Sequence, residues 1–383
     1  MIYLDNAATS WPKAPGVAEA MARFLQEEAG NPGRSGHRLA RAASARVQAT
    51  RQALARLLGV SEPERVVFTL NATDALNLAL KGLLRPGDRV ITSRMEHNSM
   101  TRPLRALQAA GVEVVKVSCF SDGLVEAEAV AQALRRPTRL LAITHASNVA
   151  GTIQPVAELA RLAHEAGAWV LVDGAQTVGA LPLQVEELGA DLLAFSGHKG
   201  LLGPTGTGGL YVGPGIELRP VREGGTGTHS ESDAQPEELP HRLESGTPNT
   251  VGLAGLGAAL DYLERRGLEA IREHERRLVE VLRDGLGKIP GLTLYGPRDP
   301  RSQAGVVSFT LEGWPPTEVA AILDASFDVA VRPGLHCAPD AHRTLGTFPA
   351  GTVRLSPGPF NTVDEMDQVV GFVERIARSV ASA

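Results

Sequence analysis

Two short polar segments that follow apolar runs hold the residues most able to do chemistry. The first is Val-Asp-Gly-Ala-Gln at 172–176, and the second is Phe-Ser-Gly-His-Lys-Gly at 195–200. Each follows a run that is typical of a buried strand, 168–172 and 192–195. Ligands of open α/β sheets bind outside the carboxyl ends of strands, so an acid and a lysine on two such ends favour a ligand site. An amine that forms a Schiff base and a carboxylate that holds a pyridine nitrogen protonated are what pyridoxal 5'-phosphate (PLP) requires.

Composition limits the class of protein. The chain has 383 residues, of which 43% are hydrophobic, which is enough for a sizeable core. A net charge of -5 without long basic runs argues against nucleic acid as the main partner. No apolar run is long enough to span a bilayer, and the N-terminal residues lack the pattern of a signal peptide. The two cysteines, Cys119 and Cys337, predict no disulfide framework, so we expect a cytoplasmic protein.

Between residues 66 and 212 the pattern alternates between strand and helix. We predict strands at 66–68, 89–91, 112–117, 140–143, 168–172, 192–195 and 209–212, with helices at 72–81, 102–110, 126–134 and 155–166. Repeated units of this length predict an α/β fold in which a mainly parallel mixed sheet of about seven strands lies between helices. A helix over 15–28 precedes them and is expected to place Val17, Met21 and Leu25 on one face.

The C-terminal part predicts a smaller α+β unit. Helices are expected at 253–265, 269–286, 317–325 and 362–377, with strands at 306–310, 329–332 and 353–355. We therefore divide the chain into a large domain, 15–258, and a small domain formed by 1–14 and 259–383. Residues 213–250 show no periodicity and predict a long functional loop. A cleft between the two units is the expected binding site.

Further polar stretches stand where ligands would be held. Asn-Ala-Thr-Asp at 71–74 opens a predicted helix, whose free N–H groups favour a phosphate. Glu-His-Asn at 96–98 and Ser-Asn at 147–148 each follow a strand of the large unit. Arg-Pro-Gly-Leu-His-Cys-Ala at 332–338 follows a strand of the smaller unit, and its composition argues against a packed core position for the cysteine.

In this order along the chain, the motifs resemble those of the PLP-dependent cysteine desulfurases, which have the class V aminotransferase version of the PLP-transferase type I fold. The branch with a short Arg-x-Gly-x-His-Cys-Ala motif is the most similar, and selenocysteine lyases are similar to the same branch. The resemblance extends from Tyr-Leu-Asp-Asn-Ala-Ala at 3–8 to Arg-Leu-Ser at 354–356. It is specific because six short motifs occur in the family's order.

The resemblance implies a role for each matching residue at the cofactor. Lys199 would form the Schiff base with PLP and later act as a base, which suits a lysine because its pKa shifts readily. Asp173 would bond the pyridine nitrogen, Gln176 would donate to the ring oxygen, and His97 would stack on the ring. The phosphate would be held by polar side chains at the strand and helix ends: Thr73, Ser196 and His198. Thr247 would reach the phosphate of the partner subunit, so a homodimer is implied.

The resemblance also implies the substrate site and the reaction. Asn148 and Arg354 would hold the carboxylate of L-cysteine, and Cys337 would accept its sulfur, leaving an enzyme persulfide and L-alanine. Arg332 would either join the carboxylate site or form a salt bridge that orients the cysteine loop. The short loop suggests that a sulfur-acceptor protein comes to the site. No metal is expected, and the pathway served, iron–sulfur cluster assembly among others, stays open.

Three other functions compete with the desulfurase. A selenocysteine lyase would use the same PLP groups but release selenide and L-alanine from L-selenocysteine. A PLP aminotransferase or epimerase would leave Cys337 incidental and, as an aminotransferase, would need a keto acid. A scaffold that has kept the fold would not need Lys199.

Overall fold

Helices and strands alternate along most of the chain in the computed structural model, which describes residues 1–33 and 36–380. The helices are α1 (Val17–Arg23), α2 (Arg38–Leu58), α3 (Ala72–Leu83), α4 (Asn98–Ala109), α5 (Ala127–Ala133), α6 (Val156–Glu165), α7 (Val185–Leu188), α8 (Thr250–Arg266), α9 (Leu268–Leu286), α10 (Pro316–Phe327), α11 (Pro339–Thr344) and α12 (Val363–Val380). The strands are β1 (Ile2–Tyr3), β2 (Val66–Thr69), β3 (Arg89–Ser93), β4 (Glu113–Val117), β5 (Leu140–Thr144), β6 (Trp169–Asp173), β7 (Leu192–Ser196), β8 (Gly208–Val212), β9 (Leu292–Tyr295), β10 (Val307–Leu311), β11 (Val329–Ala330), β12 (Arg332–Gly334) and β13 (Thr352–Leu355).

The large sheet has seven strands in the order β2-β8-β7-β6-β5-β3-β4. The pairs from β7 across to β4 are parallel, whereas β8 is antiparallel to both β7 and β2. The predicted mainly parallel mixed sheet of about seven strands is therefore confirmed. Val170 and Val172 of β6 pack in one apolar cluster and Leu171 packs in another, because neighbouring strand residues point to opposite faces. Helices cover both faces, so the inner strands β5, β6 and β7 are buried and mainly apolar.

The register of the sheet brings polar residues to one edge. Thr144, the last residue of β5, pairs with Asp173, the last residue of β6. Asp173 in turn pairs with Ala194 of β7, two residues before that strand ends at Ser196. The segments that follow these strands therefore start at the same level, which is where parallel strands of α/β proteins present their functional residues.

A second sheet lies in the C-terminal part of the chain. Its order is β12-β13-β10-β9, four antiparallel strands. It has its own apolar core, which includes Leu278 and Leu282 of α9, Phe309 of β10 and Val369 of α12. The N-terminal strand β1 pairs in parallel with β11, and Leu4 packs in the same core, so the first residues of the chain join this smaller unit.

The boundary between the two units stays a prediction. Leu260 and Leu263 of α8 pack in the core of the large unit, although they lie beyond the predicted boundary at 258. Gly267 separates α8 from α9 with a φ of 79°, a backbone conformation that favours glycine. We propose that the large unit extends to this glycine.

The first helix departs from the predicted periodicity. After α1 the chain forms a π-helical turn, Phe24–Glu28. A π turn holds more residues than an α turn, which rotates the following side chains around the axis. Phe24, seven residues after Val17 and therefore on the same face, is 1% exposed, whereas Leu25 is 59% exposed. The prediction that Leu25 shares the buried face of Val17 was wrong.

No helix within the described ranges combines the length and apolarity needed to cross a membrane.

Candidate active site

Lys199 lies three residues beyond β7, in a turn that requires glycine. A Cβ atom on Gly197 would lie 2.1 Å from Oγ1 of Thr207, so no larger residue fits there. Burial lowers the pKa of the Lys199 amine to about 8, while the nearby Asp173 carboxylate acts to raise it. A substantial fraction of the amine is therefore unprotonated near pH 8, as a nucleophilic lysine requires.

Asp173 is the acid at the end of the neighbouring strand. Its side chain is buried, and Oδ1 accepts a hydrogen bond from the N–H of Ala175 at 3.0 Å. Burial raises the pKa of the carboxyl, and the Ala175 hydrogen bond and the Lys199 charge oppose that rise. A buried carboxylate with one backbone donor is suited to accept a bond from a protonated ring nitrogen.

Gln176 follows in the same segment and turns towards the N-terminus of the chain. Its side-chain N–H donates to the carbonyl of Ala7 at 3.1 Å. The bond joins the segment after β6 to the residues that follow β1.

His97 precedes α4 and caps it. Its Nδ1 accepts the N–H of Ser99 at 3.0 Å, so the neutral ring carries its proton on Nε2. Burial, followed by the charges of Lys199 and Arg332, lowers the pKa of His97 to about 4. The site therefore holds a neutral imidazole at pH 7. Because this ring carries no charge, it would not repel a cationic ring that lies against it.

The start of α3 meets the end of β7. The N–H of Ala72 donates to Oγ of Ser196 at 2.9 Å, and Thr73 is exposed in the first turn of the helix. Two of the predicted phosphate ligands are therefore at one helix N-terminus, where free N–H groups favour an anion.

His198, the third predicted phosphate ligand, belongs to a cluster that sequence reasoning missed. Its Nδ1 lies 3.1 Å from Oγ1 of Thr9. Nζ of Lys13 donates to the same oxygen at 3.2 Å and to the carbonyl of His198 at 3.1 Å. Burial lowers the pKa of Lys13 to about 8. The only sequence signal for Lys13 is its position shortly after the polar segment at 5–9.

Cys337 is exposed at the tip of a tight turn. The N–H of Ala338 donates to the carbonyl of Leu335 at 2.8 Å, and the two central residues have left-handed backbones, with φ of 49° at His336 and 57° at Cys337. Such a conformation costs roughly 1–2 kcal/mol for each non-glycine residue. The turn is held in place by bonds to the large unit.

Two of these bonds connect the turn with predicted site residues. The N–H of Asn98, the residue after His97, donates to the carbonyl of Cys337 at 2.7 Å. The side-chain amide of Asn148 donates to the carbonyl of His336 at 2.7 Å. Asn148 is predicted to hold a substrate carboxylate, and that role stays a prediction; in the structure its amide ties the cysteine turn to the segment that follows β5.

Two arginines stand beside the turn on neighbouring strands, since Arg332 of β12 pairs with Arg354 of β13. Arg354 is fully buried, with Nη2 2.6 Å from Oδ1 of Asp5 and Nη1 3.1 Å from the carbonyl of Asn148. Its Nε has no hydrogen-bond partner among the described residues. Nη2 of Arg332 lies 3.5 Å from Sγ of Cys337. Of the two roles considered for Arg332, this contact favours orientation of the cysteine.

Thr247 lies elsewhere. It is exposed and lines a cavity of about 780 Å³ together with Thr69, Leu70 and Arg222. A smaller cavity is lined by Lys199 and Gln176. The structure therefore does not bring Thr247 to the lysine of its own subunit.

The donor set fits PLP. One edge of the sheet carries the amine of Lys199, the buried acid Asp173 and the neutral imidazole of His97. The N-terminus of α3, with two hydroxyl groups, lies at the same edge. Within residues 1–33 and 36–380, no group of three or more His, Cys, Asp or Glu side chains could hold a metal ion.

Comparison with protein families gives an independent result. The model of the family described as aminotransferase class-V matches residues 2–369. The chain belongs to the class-V aminotransferase family. Proteins similar to the chain include a cysteine desulfurase of Escherichia coli O157:H7, 38% identical over 388 residues that cover 99% of this chain and 94% of the relative. A protein of Methanothermobacter thermautotrophicus named a probable cysteine desulfurase is 38% identical over 383 residues, covering 98% of this chain and 94% of the relative.

Two solved structures that are similar to the chain have the same fold. Apo cysteine desulfurase from Thermococcus onnurineus NA1 gives a TM-score of 0.93 at 36% identity and covers 99% of this chain and 95% of its own. Cysteine desulfurase CsdA (S-sulfonic acid) from E. coli gives 0.88 at 34% identity and covers 99% and 94%. The predicted class V fold and the resemblance to cysteine desulfurases are confirmed. The narrower assignment to the short-motif branch stays a prediction.

Proposed function

We propose that this enzyme is a PLP-dependent cysteine desulfurase, which takes sulfur from L-cysteine and leaves L-alanine and a persulfide on Cys337. The observation that carries the proposal is the position of Cys337. Its exposed thiol stands on a turn that Asn98 holds next to His97, and a guanidinium nitrogen of Arg332 lies 3.5 Å from the sulfur. An exposed thiol on a turn anchored beside the residues that would hold PLP is what separates a desulfurase from other enzymes of this fold.

The cofactor would be held by the residues at the sheet edge. Bound PLP supplies an electron sink that stabilises negative charge on the substrate carbons. Lys199 would attach the cofactor and then, as a free amine with a pKa near 8, take and return a proton at the substrate. Asp173 would keep the pyridine nitrogen protonated, and the neutral ring of His97 would lie against the cofactor without adding charge.

The substrate carboxylate would be held by Arg354 and Asn148. Arg354 keeps one side of its guanidinium on Asp5, which leaves other N–H groups for a carboxylate. Because Asn148 also binds the carbonyl of His336, a substrate at this amide would touch the residue that holds the cysteine turn. Substrate binding and the position of Cys337 are thereby connected through one side chain.

Sulfur transfer would then take place at Cys337. The thiolate of Cys337 attacks the sulfur of the substrate, and the new S–S bond forms as the substrate C–S bond breaks. The electron pair of the C–S bond stays with the carbon, which gains a proton and becomes the methyl group of L-alanine. Exposure of the turn leaves the persulfide accessible to a sulfur-acceptor protein, which we propose as the partner. Both cysteines are free thiols, which supports a reducing, cytoplasmic location.

The function is tested with purified, PLP-loaded protein given L-cysteine and L-selenocysteine in parallel. We expect L-alanine and sulfide from L-cysteine in the presence of a thiol reductant, without any keto acid. Activity confined to L-selenocysteine would replace the proposal by a selenocysteine lyase. Alanine formation that requires a keto acid would replace it by an aminotransferase. The named relatives favour neither alternative.

We also propose that the enzyme is a homodimer in which Thr247 serves the partner's PLP phosphate. Thr247 is exposed on the wall of the larger cavity, and two large apolar side chains at this cavity are exposed as well. Leu70, which lines the cavity, is 50% exposed, and Val221, which precedes the lining residue Arg222 in the chain, is 48% exposed. Apolar surface of this kind is typical of an interface.

Mixed dimers provide the test of this arrangement. Lys199→Ala and Thr247→Ala subunits are each expected to be weakly active or inactive alone. A dimer with one subunit of each kind contains one site with both residues intact, so mixing and re-equilibrating them is expected to restore up to about half of the wild-type activity per mixed dimer. No restoration in dimers verified by mass spectrometry, or a monomer in sedimentation of the wild type, would contradict the proposal.

A further inference from the structure

Glu96 is a fully buried acid that the proposed reaction does not use. It stands between the end of β3 at Ser93 and His97, the residue that caps α4. A carboxyl group without solvent contact must find its partners inside the protein.

The two oxygens of Glu96 have different surroundings. Oε1 accepts the hydroxyl proton of Ser93 at 2.6 Å and the N–H of Thr144 at 3.1 Å. The hydroxyl oxygen of Ser93 in turn accepts the N–H of Met95 at 3.0 Å, so its single proton is directed to Glu96. Oε2 is buried and has no hydrogen-bond partner among the described residues. An anionic oxygen without a donor is unfavourable, whereas a carboxylic acid can carry its proton there.

The charges around Glu96 also favour the neutral acid. The acid whose charge acts on Glu96 is Asp173 of β6, and none of the salt bridges found among the described residues involves Glu96. On the side of Cys119, which follows β4, a negative charge on Glu96 would act to raise the pKa of the Cys119 thiol. The charge of Arg94 acts to lower the same pKa, and the Arg94 side chain is exposed. Burial raises the pKa of Glu96 to about 8, while the hydrogen bonds from Ser93 and Thr144 act to lower it and the Asp173 charge to raise it.

The contacts of Glu96 fix the residue that follows it. One oxygen binds the last residue of β3 and the last residue of β5, and β5 is the strand between β3 and the strand that ends in Asp173. Through Glu96, the main chain next to His97 is therefore attached to the ends of β3 and β5. These two strands set its position relative to Asp173, at the end of β6. We call these two hydrogen bonds, from Ser93 and Thr144 to Glu96, the clamp. If the clamp were lost, His97 would still cap α4, but the distance from its imidazole to the sheet edge would no longer be fixed.

We propose that Glu96 is a positioning residue that, as a neutral carboxylic acid, clamps the ends of β3 and β5, sets the position of His97 and leaves the negative charge at this edge to Asp173. The role assigned to His97 rests on the proposed function. The protonation and clamping of Glu96 do not, and they can be measured without turnover.

The first measurement is the pH dependence of unfolding of the cofactor-free full chain, compared with Glu96→Gln. Between the pKa of an exposed glutamate, about 4.5, and the folded value of about 8, the folded protein holds a proton that the unfolded chain releases. The unfolding constant of the wild type relative to Glu96→Gln is therefore expected to rise by up to about tenfold per pH unit between pH 5 and pH 8 and to level off above pH 8. A ratio that does not change with pH would show an ionised Glu96 and overturn the proposal.

The second measurement follows His97 directly. Histidine-labelled protein gives ring NMR signals, with His97 assigned by its loss in His97→Gln. In Glu96→Leu, which keeps the volume and removes the clamp, we expect the His97 signals to move, the circular dichroism of bound PLP to weaken, and the dissociation constant of PLP to rise about tenfold. Glu96→Gln is expected to keep all three near wild type. Unchanged His97 signals in Glu96→Leu would overturn the positioning role.

Two further variants keep the test decisive. Ser93→Ala removes one donor of the clamp with little loss of volume, so it provides the same readouts at smaller amplitude if Glu96→Leu does not fold. Glu275→Leu is the matched control for Glu96→Leu, since burial also raises the pKa of Glu275, on α9, to about 8. It is expected to change the pH dependence of unfolding but not the His97 signals. Equal His97 shifts in Glu96→Leu and Glu275→Leu would show a general effect of replacing a buried acid and overturn the proposal.

Discussion

Replacing Cys337 by alanine is expected to lower kcat/KM for L-cysteine by at least about 100-fold, because the variant lacks the nucleophile that takes the sulfur. Activity towards L-selenocysteine is expected to fall much less, since selenolate is the better leaving group and can depart without a carrier. The measurement follows L-alanine from both substrates and detects the persulfide on Cys337 by alkylation and mass spectrometry. The retained selenocysteine activity would show that the PLP site of the variant is intact.

The matched control is Cys119→Ala. Cys119 is partly buried, and burial raises the pKa of its thiol to about 11, so it is protonated and poorly nucleophilic at pH 8. We expect Cys119→Ala to form the persulfide at the wild-type rate. Sulfide release from L-cysteine at an undiminished rate by Cys337→Ala would exclude Cys337 as the sulfur acceptor.

The large sheet could be predicted from the sequence because all of its strands except the edge strand β4 are buried on both faces. Such strands are continuous apolar runs, and the predicted run at 192–195 corresponds to β7. Strand β9 was missed, since its residues are only half-buried and their pattern does not differ from that of a loop. The single strand predicted at 329–332 is two strands, β11 and β12, which belong to different sheets. Strand β11 pairs with β1, whose last residue is Tyr3, and from Arg332 onwards β12 pairs with β13 instead.

The candidate site could be predicted only where chemistry and sequence spacing coincide. Asp173 and Lys199 follow strands, and the register of the sheet brings them to one edge. The contacts of Lys13 with His198 and of Asn98 with Cys337 join segments that are far apart in the chain, so no local pattern predicts them.

The left-handed backbones of His336 and Cys337 could not be predicted either. These residue types favour other conformations, and the turn exists because Asn148 and the N–H of Asn98 hold its two carbonyl groups. Leu25 illustrates the converse case, in which a buried helical position was predicted and the neighbouring residue, Phe24, takes the buried face.

Replacing Lys199 by either alanine or arginine is expected to lower kcat for L-cysteine by roughly 1,000-fold or more. Alanine removes the amine. Arginine keeps a positive charge beside Asp173 but cannot supply an unprotonated nitrogen, because a guanidinium stays protonated at any pH the protein tolerates. If Lys199 contributed only charge, Lys199→Arg would keep most of the activity. The pair of variants therefore separates the chemistry of the amine from its electrostatic effect.

The accompanying measurement is covalent attachment of PLP. Borohydride reduction of the wild type followed by peptide mass spectrometry is expected to find PLP on Lys199, and neither variant should retain it. Lys13→Ala is the control, because burial lowers the pKa of Lys13 to about 8 as well, and its amine bonds the carbonyl of the residue before Lys199. This variant is expected to bind PLP more weakly but to keep it attached to Lys199. Attachment at Lys13 in the wild type, or turnover by Lys199→Arg within tenfold of the wild type, would show that the residue assigned to the cofactor is the wrong lysine.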